Sequence, residues 1–244
     1  MNYENKLKVQ YIYHSCFLVE TENTILIFDY FKGRLPDLDD RKKIYVFASH
    51  KHNDHLSFDI FRWSEKYRNI TYILSKDIKM NENYMNRKEI PVQIRSQIYY
   101  IGKEETSLFD KVKVETLTST DEGVAFLVTV DGKSIYHAGD LNWWSWIGET
   151  EEEAIDRERR FIREMEKIQG RSFDIAFVPL DPRQEERFFW GFDYFMRVTE
   201  TKIAFPMHCW GDYSIIAILK EMGCAKGYKE KIIEIDRENM SFAL

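Results

Sequence analysis

Apolar positions along the chain follow two periods, and the switches between them mark out the elements. Residues 7–20 alternate or run apolar with aromatic and β-branched members, and after turn-like residues 21–23 a second run covers 24–28, so the pattern predicts a hairpin. Residues 33–43 are charged and carry Pro36, which predicts an exposed loop, and 43–49 reads as a strand. In 57–67, Phe58, Ile60, Phe61, Trp63 and Tyr67 accompany charges on other faces, the pattern of a helix packed on a sheet. A short buried strand follows at 71–74, and 81–90 is polar with little periodicity. Strands are predicted at 97–102, 111–118 and 124–130, with Asp131 and Gly132 turning the last into 133–137. Thr150 to Glu153 is a T-x-x-E capping box opening a helix that runs to Gln169 and stops at Gly170. Its apolar stripe of Ala154, Ile155, Phe161, Ile162, Met165 and Ile168 leaves a charge run that reads as a solvated face. Residues 172–180 include a strand, 188–196 are aromatic-rich, 202–206 form a strand and 213–221 a helical run.

Composition narrows this picture to a globular chain. The 244 residues are 44% hydrophobic, enough for one large core, and neither repeats nor a compositional boundary divides them, so a single domain over 1–244 is expected. Lys and Arg number 35 against 41 Asp and Glu, a net charge of −6 with no long basic run. That balance disfavours nucleic acid or an anionic membrane as partner and leaves a small molecule. Three cysteines, Cys16, Cys209 and Cys224, have no regular spacing and read as reduced thiols. With no apolar signal core at the N-terminus and no membrane span, a cytoplasmic location is expected. Nothing in the sequence sets the oligomeric state.

The chemistry concentrates in the stretch IYVFASHKHNDHL, where His50, His52, Asp54 and His55 follow a strand-like run. Side chains two apart on extended backbone share a side, so His50 and His52 can grip one cation while the following turn swings Asp54 and His55 towards a second. Imidazole and carboxylate donors suit zinc first, with iron or manganese next. Further along, Asp140 closes a strand in the sequence AGD, and His208 follows another in PMHCWGDY. Trp143, Trp144 and Trp146, just past Asp140, either shape a substrate pocket, with Trp143 and Trp144 its expected border, or roof the core. Asp181 and Arg183 sit at a strand end, where Arg183 either holds a substrate phosphate or carboxylate or closes an internal salt bridge.

The HxHxDH spacing, with a late Asp and a late His, resembles the signature of the metallo-β-lactamase-fold hydrolases. The segments YIYHSCFLVE and TILIFDYF resemble the opening of that superfamily's lactonase-like branch, with His14, Ser15 and Asp29 in matching positions. The resemblance implies an α+β fold, an αββα sandwich of two mixed sheets with helices outside. It implies one or two metal ions that activate water against an ester, lactone, lactam or phosphodiester bond. Asp140 would bridge the ions, Asp54, His55, Asp140 and His208 would hold the tighter one, and Asp54 would orient the water and accept its proton. His14 and Asp29 would stand behind the ligands, Asp29 fixing the tautomer of an imidazole.

One departure bears on function. The family's usual third histidine for the first metal is missing from the stretch LTSTDEG, residues 117–123, and the strand direction of His137 keeps it from substituting. Asp121 is the expected replacement, beside His50 and His52, its alternative being a simple turn before Gly123. The leading expectation is a metal-dependent hydrolase of a small anionic metabolite. The competing ones are a phosphodiesterase or nuclease of the same fold and a metal-binding protein that has lost turnover.

Overall fold

The computed structural model describes residues 7–244. Alternation along each strand explains why two sheets form and why they face each other. In β1 (Lys8–Tyr13), β2 (Cys16–Glu20), β3 (Thr24–Phe28), β4 (Lys43–Ala48), β5 (Ile70–Ser75) and β6 (Ile98–Ile101), side chains two apart share a face. Leu26, Phe28, Tyr45 and Phe47 enter the core between the sheets, whereas Ile25, Ile27, Ile44 and Val46 enter a second cluster on the outer face. Because both faces are covered, β3 and β4 read as continuous apolar runs. The second sheet contains β7 (Thr106–Phe109), β8 (Val112–Thr118), β9 (Val124–Val130), β10 (Lys133–His137), β11 (Ser172–Pro179) and β12 (Glu200–Met207). A short β13 (Ser241–Ala243) returns to pair antiparallel with β1.

The strand orders are β13-β1-β2-β3-β4-β5-β6 and β12-β11-β10-β9-β8-β7. Strands β3 to β6 run parallel in the first sheet and β10 to β12 in the second, and the remaining pairs are antiparallel, so both sheets are mixed. After α1 (Glu82–Arg87), the longer α2 (Glu151–Glu166) carries the expected capping box, and α3 (Trp190–Val198) and α4 (Ser214–Glu221) follow. Phe161, Met165, Phe192, Phe195, Ile216 and Leu219 from these last three helices join the core on the second sheet. The four-layer α+β sandwich is thus observed.

Local departures from the predicted elements have local causes. The run 7–20 breaks at His14, whose φ of 55° turns the chain between β1 and β2. Around 57–67 the chain forms 3₁₀ turns, Phe58–Glu65, capped by Ser57. Phe58 and Phe61 are three apart, the spacing that eclipses on a 3₁₀ helix, and their rings lie 6.1 Å apart. The polar 81–90 stretch holds α1, started by the Asn81 side chain accepting from the Tyr84 N–H. The short β7 and β13 lacked a readable pattern. The charge run on α2 is also not wholly solvated: Glu164 is buried and accepts the Thr118 N–H, and Arg160 donates to the Thr120 carbonyl.

Candidate metal centre

Most of the residues singled out in the sequence come from the C-terminal ends of parallel strands in both sheets, while His14 and Asp121 follow the antiparallel β1 and β8. Asp29 follows β3 and His50 follows β4, while Asp140, Asp181 and His208 follow β10, β11 and β12. That is where α/β sheets place ligands. His14, Asp29, His208 and Trp210 all adopt left-handed φ, between 46° and 66°, a conformation costing about 1 kcal/mol or more per non-glycine residue. Two glycines let the other loops close on β4. A Cβ on Gly123 (φ 71°) would lie 1.9 Å from the Ser49 carbonyl, and one on Gly139 (φ 52°) 2.7 Å from the Ser49 Cβ. Any side chain there would push the loops carrying Asp121 and Asp140 off the histidine turn.

Two groups of donor atoms result. His14, Asp54, His55 and His208 form one, and His50, His52, Asp121 and Asp140 the other, each with its donor atoms within 4.8 Å of one another. Asp140 lies between them. Its Oδ2 is 3.4 Å from His50 Nε2, and its Oδ1 is 3.1 Å from His55 Nε2 and 3.5 Å from His208 Nε2. Within the groups His14 Nε2 is 3.6 Å from Asp54 Oδ2, and His52 Nδ1 is 3.0 Å from His50 Nε2 and 3.7 Å from Asp121 Oδ2. Donors sharing a tetrahedral ion at about 2.0–2.1 Å stand about 3.3–3.4 Å apart, so these separations fit ligation.

Three of the histidines, His50, His55 and His208, are held through Nδ1. Asp29 Oδ2 accepts from His55 Nδ1 (2.8 Å) and from Ser49 Oγ (2.6 Å), while Asp29 Oδ1 accepts the Ser49 N–H (2.7 Å). With its proton given to Asp29, Ser49 Oγ accepts from His50 Nδ1 at 2.9 Å. Asp181 Oδ2 likewise accepts from His208 Nδ1 at 2.9 Å. Each of these Nδ1–H groups is thereby committed, and the Nε2 lone pairs of His55 and His208 are left for a cation, while His50 Nε2 faces His52 Nδ1 at 3.0 Å.

Electrostatics points the same way. Burial would raise the Asp140 carboxyl, but His55, His208 and His50 hold it well below the usual range. Burial raises the Asp54 carboxyl, but the neighbouring imidazoles of His14, 3.6 Å away, and His55 outweigh it, with a net lowering. Burial pushes His14 down to about 4, only partly offset by Asp54. A direct test of fit comes from hydrogen bonding. His14 Nδ1 and Nε2, His55 Nε2, Asp140 Oδ1 and His208 Nε2 are buried without a hydrogen-bond partner, a cost that a cation among them reduces. All donors are nitrogen or oxygen, since Cys209 turns its Sγ to the Met207 carbonyl at 3.7 Å. The three cysteines are free, with Cys16 and Cys209 buried and Cys224 exposed.

Placement differs from the sequence reading at several residues. His14, expected behind the ligands, stands among the donors, because the turn after β1 brings its ring to 4.1 Å from that of His208. Asp29 does stand behind, with its hydrogen bond to His55. His137 is spent elsewhere, its Nε2 donating to the Ser15 carbonyl and its Nδ1 accepting from the Gly139 N–H. A cavity of about 210 Å³ opens over both groups, lined by His52, Asp54, Asp121, Asp140, Trp144, Trp146, Arg157, Arg183 and His208. Trp144 and Arg183 therefore border it, but Trp143 does not. Neighbouring residues on this segment face opposite ways, so Trp144 lies edge-on to His208 while Trp143 packs on Phe161, Trp190 and Tyr194. Trp146, stacked on Trp144, takes the place expected of Trp143. Arg183 forms the internal salt bridge, to Asp181, and also lines the cavity. Sequence reasoning also missed Arg157, hidden in the charge run of α2, and Trp210, whose ring lies 4.5 Å from that of His14.

Among the described residues no helix is long and apolar enough to cross a membrane. A family profile described as Beta-lactamase superfamily domain matches residues 8–157, which include every donor named above except His208. The chain is 28% identical over 185 residues to the metal-dependent hydrolase YtkL of Bacillus subtilis (strain 168), covering 71% of this chain and 73% of that one. It is 27% identical over 179 residues to the metal-dependent hydrolase NEQ378 of Nanoarchaeum equitans (strain Kin4-M), covering 71% of each. Among solved structures, Igni18, a metallo hydrolase from Ignicoccus hospitalis, superposes with a TM-score of 0.66 at 17% identity over 98% of both chains. CmlA, a diiron β-hydroxylase from Streptomyces venezuelae, superposes at 0.64 and 13% identity over 98% of this chain and 54% of that one. The profile match and the two facing mixed sheets agree, and the chain belongs to the β-lactamase superfamily, with the metallo-β-lactamase fold of its metal-dependent hydrolases.

Proposed function

We propose that this metal-dependent hydrolase holds two divalent ions, zinc foremost, and cleaves an ester, lactone or phosphoester bond in a small anionic metabolite. The observation that carries the reading is the set of buried, unpartnered nitrogen and oxygen atoms gathered about Asp140 beneath an open cavity. Ions there would supply a nucleophilic water at neutral pH and draw charge from the scissile carbonyl or phosphoryl oxygen. His14, His55, His208 and Asp54 would hold one ion, His50, His52 and Asp121 the other, with Asp140 shared. Asp54, ionised and half-buried at the cavity wall, orients the attacking water and accepts its proton. Asp29 and Asp181 keep the imidazoles in the tautomer that leaves Nε2 free. Trp144 and Trp146 wall the cavity and restrict bulk water.

The volume bears on substrate size. At about 30 Å³ per water, the cavity holds about seven waters, room for a small molecule or the end of one. A polynucleotide fits poorly beside a net charge of −6. Metal analysis of protein purified without a chelating tag, followed by a screen of lactones, simple esters and phosphodiesters, tests the proposal. Asp54→Asn should abolish turnover while the fold persists. Bound metal with no turnover on any of these bonds would instead favour a binding protein, and bound iron would point to different chemistry.

A further inference from the structure

Two arginines at the cavity wall have no part in holding metal. Arg183 gives its Nε and Nη2 to Asp181, at 3.0 and 2.5 Å, and its Nη1 has no partner among the described residues. Its guanidinium lies 4.5 Å from the Trp210 ring centre and 5.8 Å from that of Trp146, which fixes its plane. Arg157 is held more loosely, by an ion pair without a hydrogen bond. Its Nε lies 3.3 Å from Glu149 Oε2, and Glu149 is itself held by Ser145 Oγ (2.6 Å) and the Trp146 N–H (2.9 Å). No hydrogen bond occupies either terminal nitrogen of Arg157 among the described residues. Arg183 is thus anchored by hydrogen bonds and Arg157 by an ion pair, each to a carboxylate outside the cavity, and each keeps terminal N–H donors in reserve. The two come from distant elements, α2 and the turn after β11, yet line the same small space. The remaining charges of that space, Asp54, Asp121 and Asp140, belong to the donor groups. Once cations neutralise those carboxylates, the wall presents two unsatisfied guanidiniums and a pair of stacked indoles, a surface that favours a planar or tetrahedral oxyanion.

We infer that Arg157 and Arg183 form an anion clamp, so that the substrate carries a carboxylate or phosphate group separate from the bond that is cleaved. The inference rests on the hydrolase reading for which end of the substrate meets the metals, but the clamp itself can be measured at equilibrium. The zinc-loaded protein is titrated by calorimetry with butyrate and with glutarate. A first carboxylate serves the metals in both probes, so the affinity ratio isolates the second. The ratio should be tenfold or more in favour of glutarate. It should fall towards unity in Arg157→Gln and in Arg183→Gln, while Arg157→Lys keeps part of it because the charge remains. Arg157 gives the cleaner variant, since its anchor Glu149 touches no metal donor. Replacing one glutarate carboxylate by a phosphonate distinguishes the sources: a larger ratio assigns the substrate a phosphate, a smaller one a carboxylate. A ratio near one in the unaltered protein, or one that both glutamine variants leave unchanged, overturns the clamp. Absence of turnover on every ester would leave these ratios intact and count against the hydrolase reading alone.

Discussion

The two donor groups share Asp140 and, through Ser49, the support of Asp29, but they differ in burial. In the group of His14, Asp54, His55 and His208, all three imidazoles are buried, and those of His55 and His208 are backed by the fully buried carboxylates Asp29 and Asp181. In the group of His50, His52, Asp121 and Asp140, only His50 and Asp140 are buried. The His52 and Asp121 side chains are 40% and 46% exposed, and Lys51 and Glu122 pair beside them. A preorganised, dry set of donors gives up little entropy or hydration on binding, whereas an open set must be ordered by the ion. Unequal binding is therefore the expected outcome: a tight ion in the buried group and an exchangeable one at the cavity mouth.

The sharpest way to break that comparison is to remove what the groups share. Asp140→Asn should cost both ions and lower kcat/KM by about a thousandfold or more, as losing a group central to catalysis does, with metal content measured alongside turnover. Next in size, His14→Ala should weaken the tight ion by more than about a hundredfold, exceeding the tenfold to hundredfold typical of residues behind the ligands, while His52→Ala affects the looser ion alone. Equal losses in one class of site would dissolve the distinction. Asp181→Asn should reduce affinity of the buried group by about ten- to a hundredfold. The same variant carries a pH signature. Burial raises the Asp181 carboxyl, but His208 and Arg183 outweigh it and bring it to about 2, below the unfolded value of about 3.9. A depressed folded value stabilises above the unfolded one, so up to about 2 kcal/mol is present above pH ~4 and lost as the pH falls towards ~2. Thermal melts of the metal-free protein should show that loss, and Asp181→Asn should flatten it. The smallest effect is expected from Asp121→Ala, about tenfold or less and confined to the looser ion in a two-site titration. An unchanged weak site would remove Asp121 from the donor set.

What the sequence disclosed follows from how far each signal reaches along the chain. The HxHxDH turn, Asp140 and His208 were legible because strand ends and residue types are local properties, and the strands at 124–130 and 133–137 have the predicted bounds for the same reason. His14 was legible as a site residue, but its position among the donors depends on a left-handed turn that no propensity signals. Trp143 and Trp144 are adjacent and chemically identical, so only the path of the segment decides which faces His208 and which faces α2 and α3. Arg157 was invisible because a guanidinium in a charged helix looks solvated until a remote loop closes over it. Asp29 serves two histidines at once through Ser49, a relay that requires three-dimensional proximity rather than spacing.

The left-handed turns at His14 and His208 touch: the His208 N–H donates to the His14 carbonyl at 3.3 Å across 194 residues of sequence. That contact joins the first sheet to the second at the point where the buried donors meet. An ion held there by His14 and His55 on one sheet and His208 on the other would have to lose a ligand before the sheets could separate. Contacts between such distant segments form late in folding, and a tie completed after the transition state leaves the refolding rate almost unchanged while slowing unfolding. The ion would then act as a latch on the native state, set only once both sheets are in place, and the metal-loaded protein should outlast the stripped one under protease by more than its refolding rate would suggest.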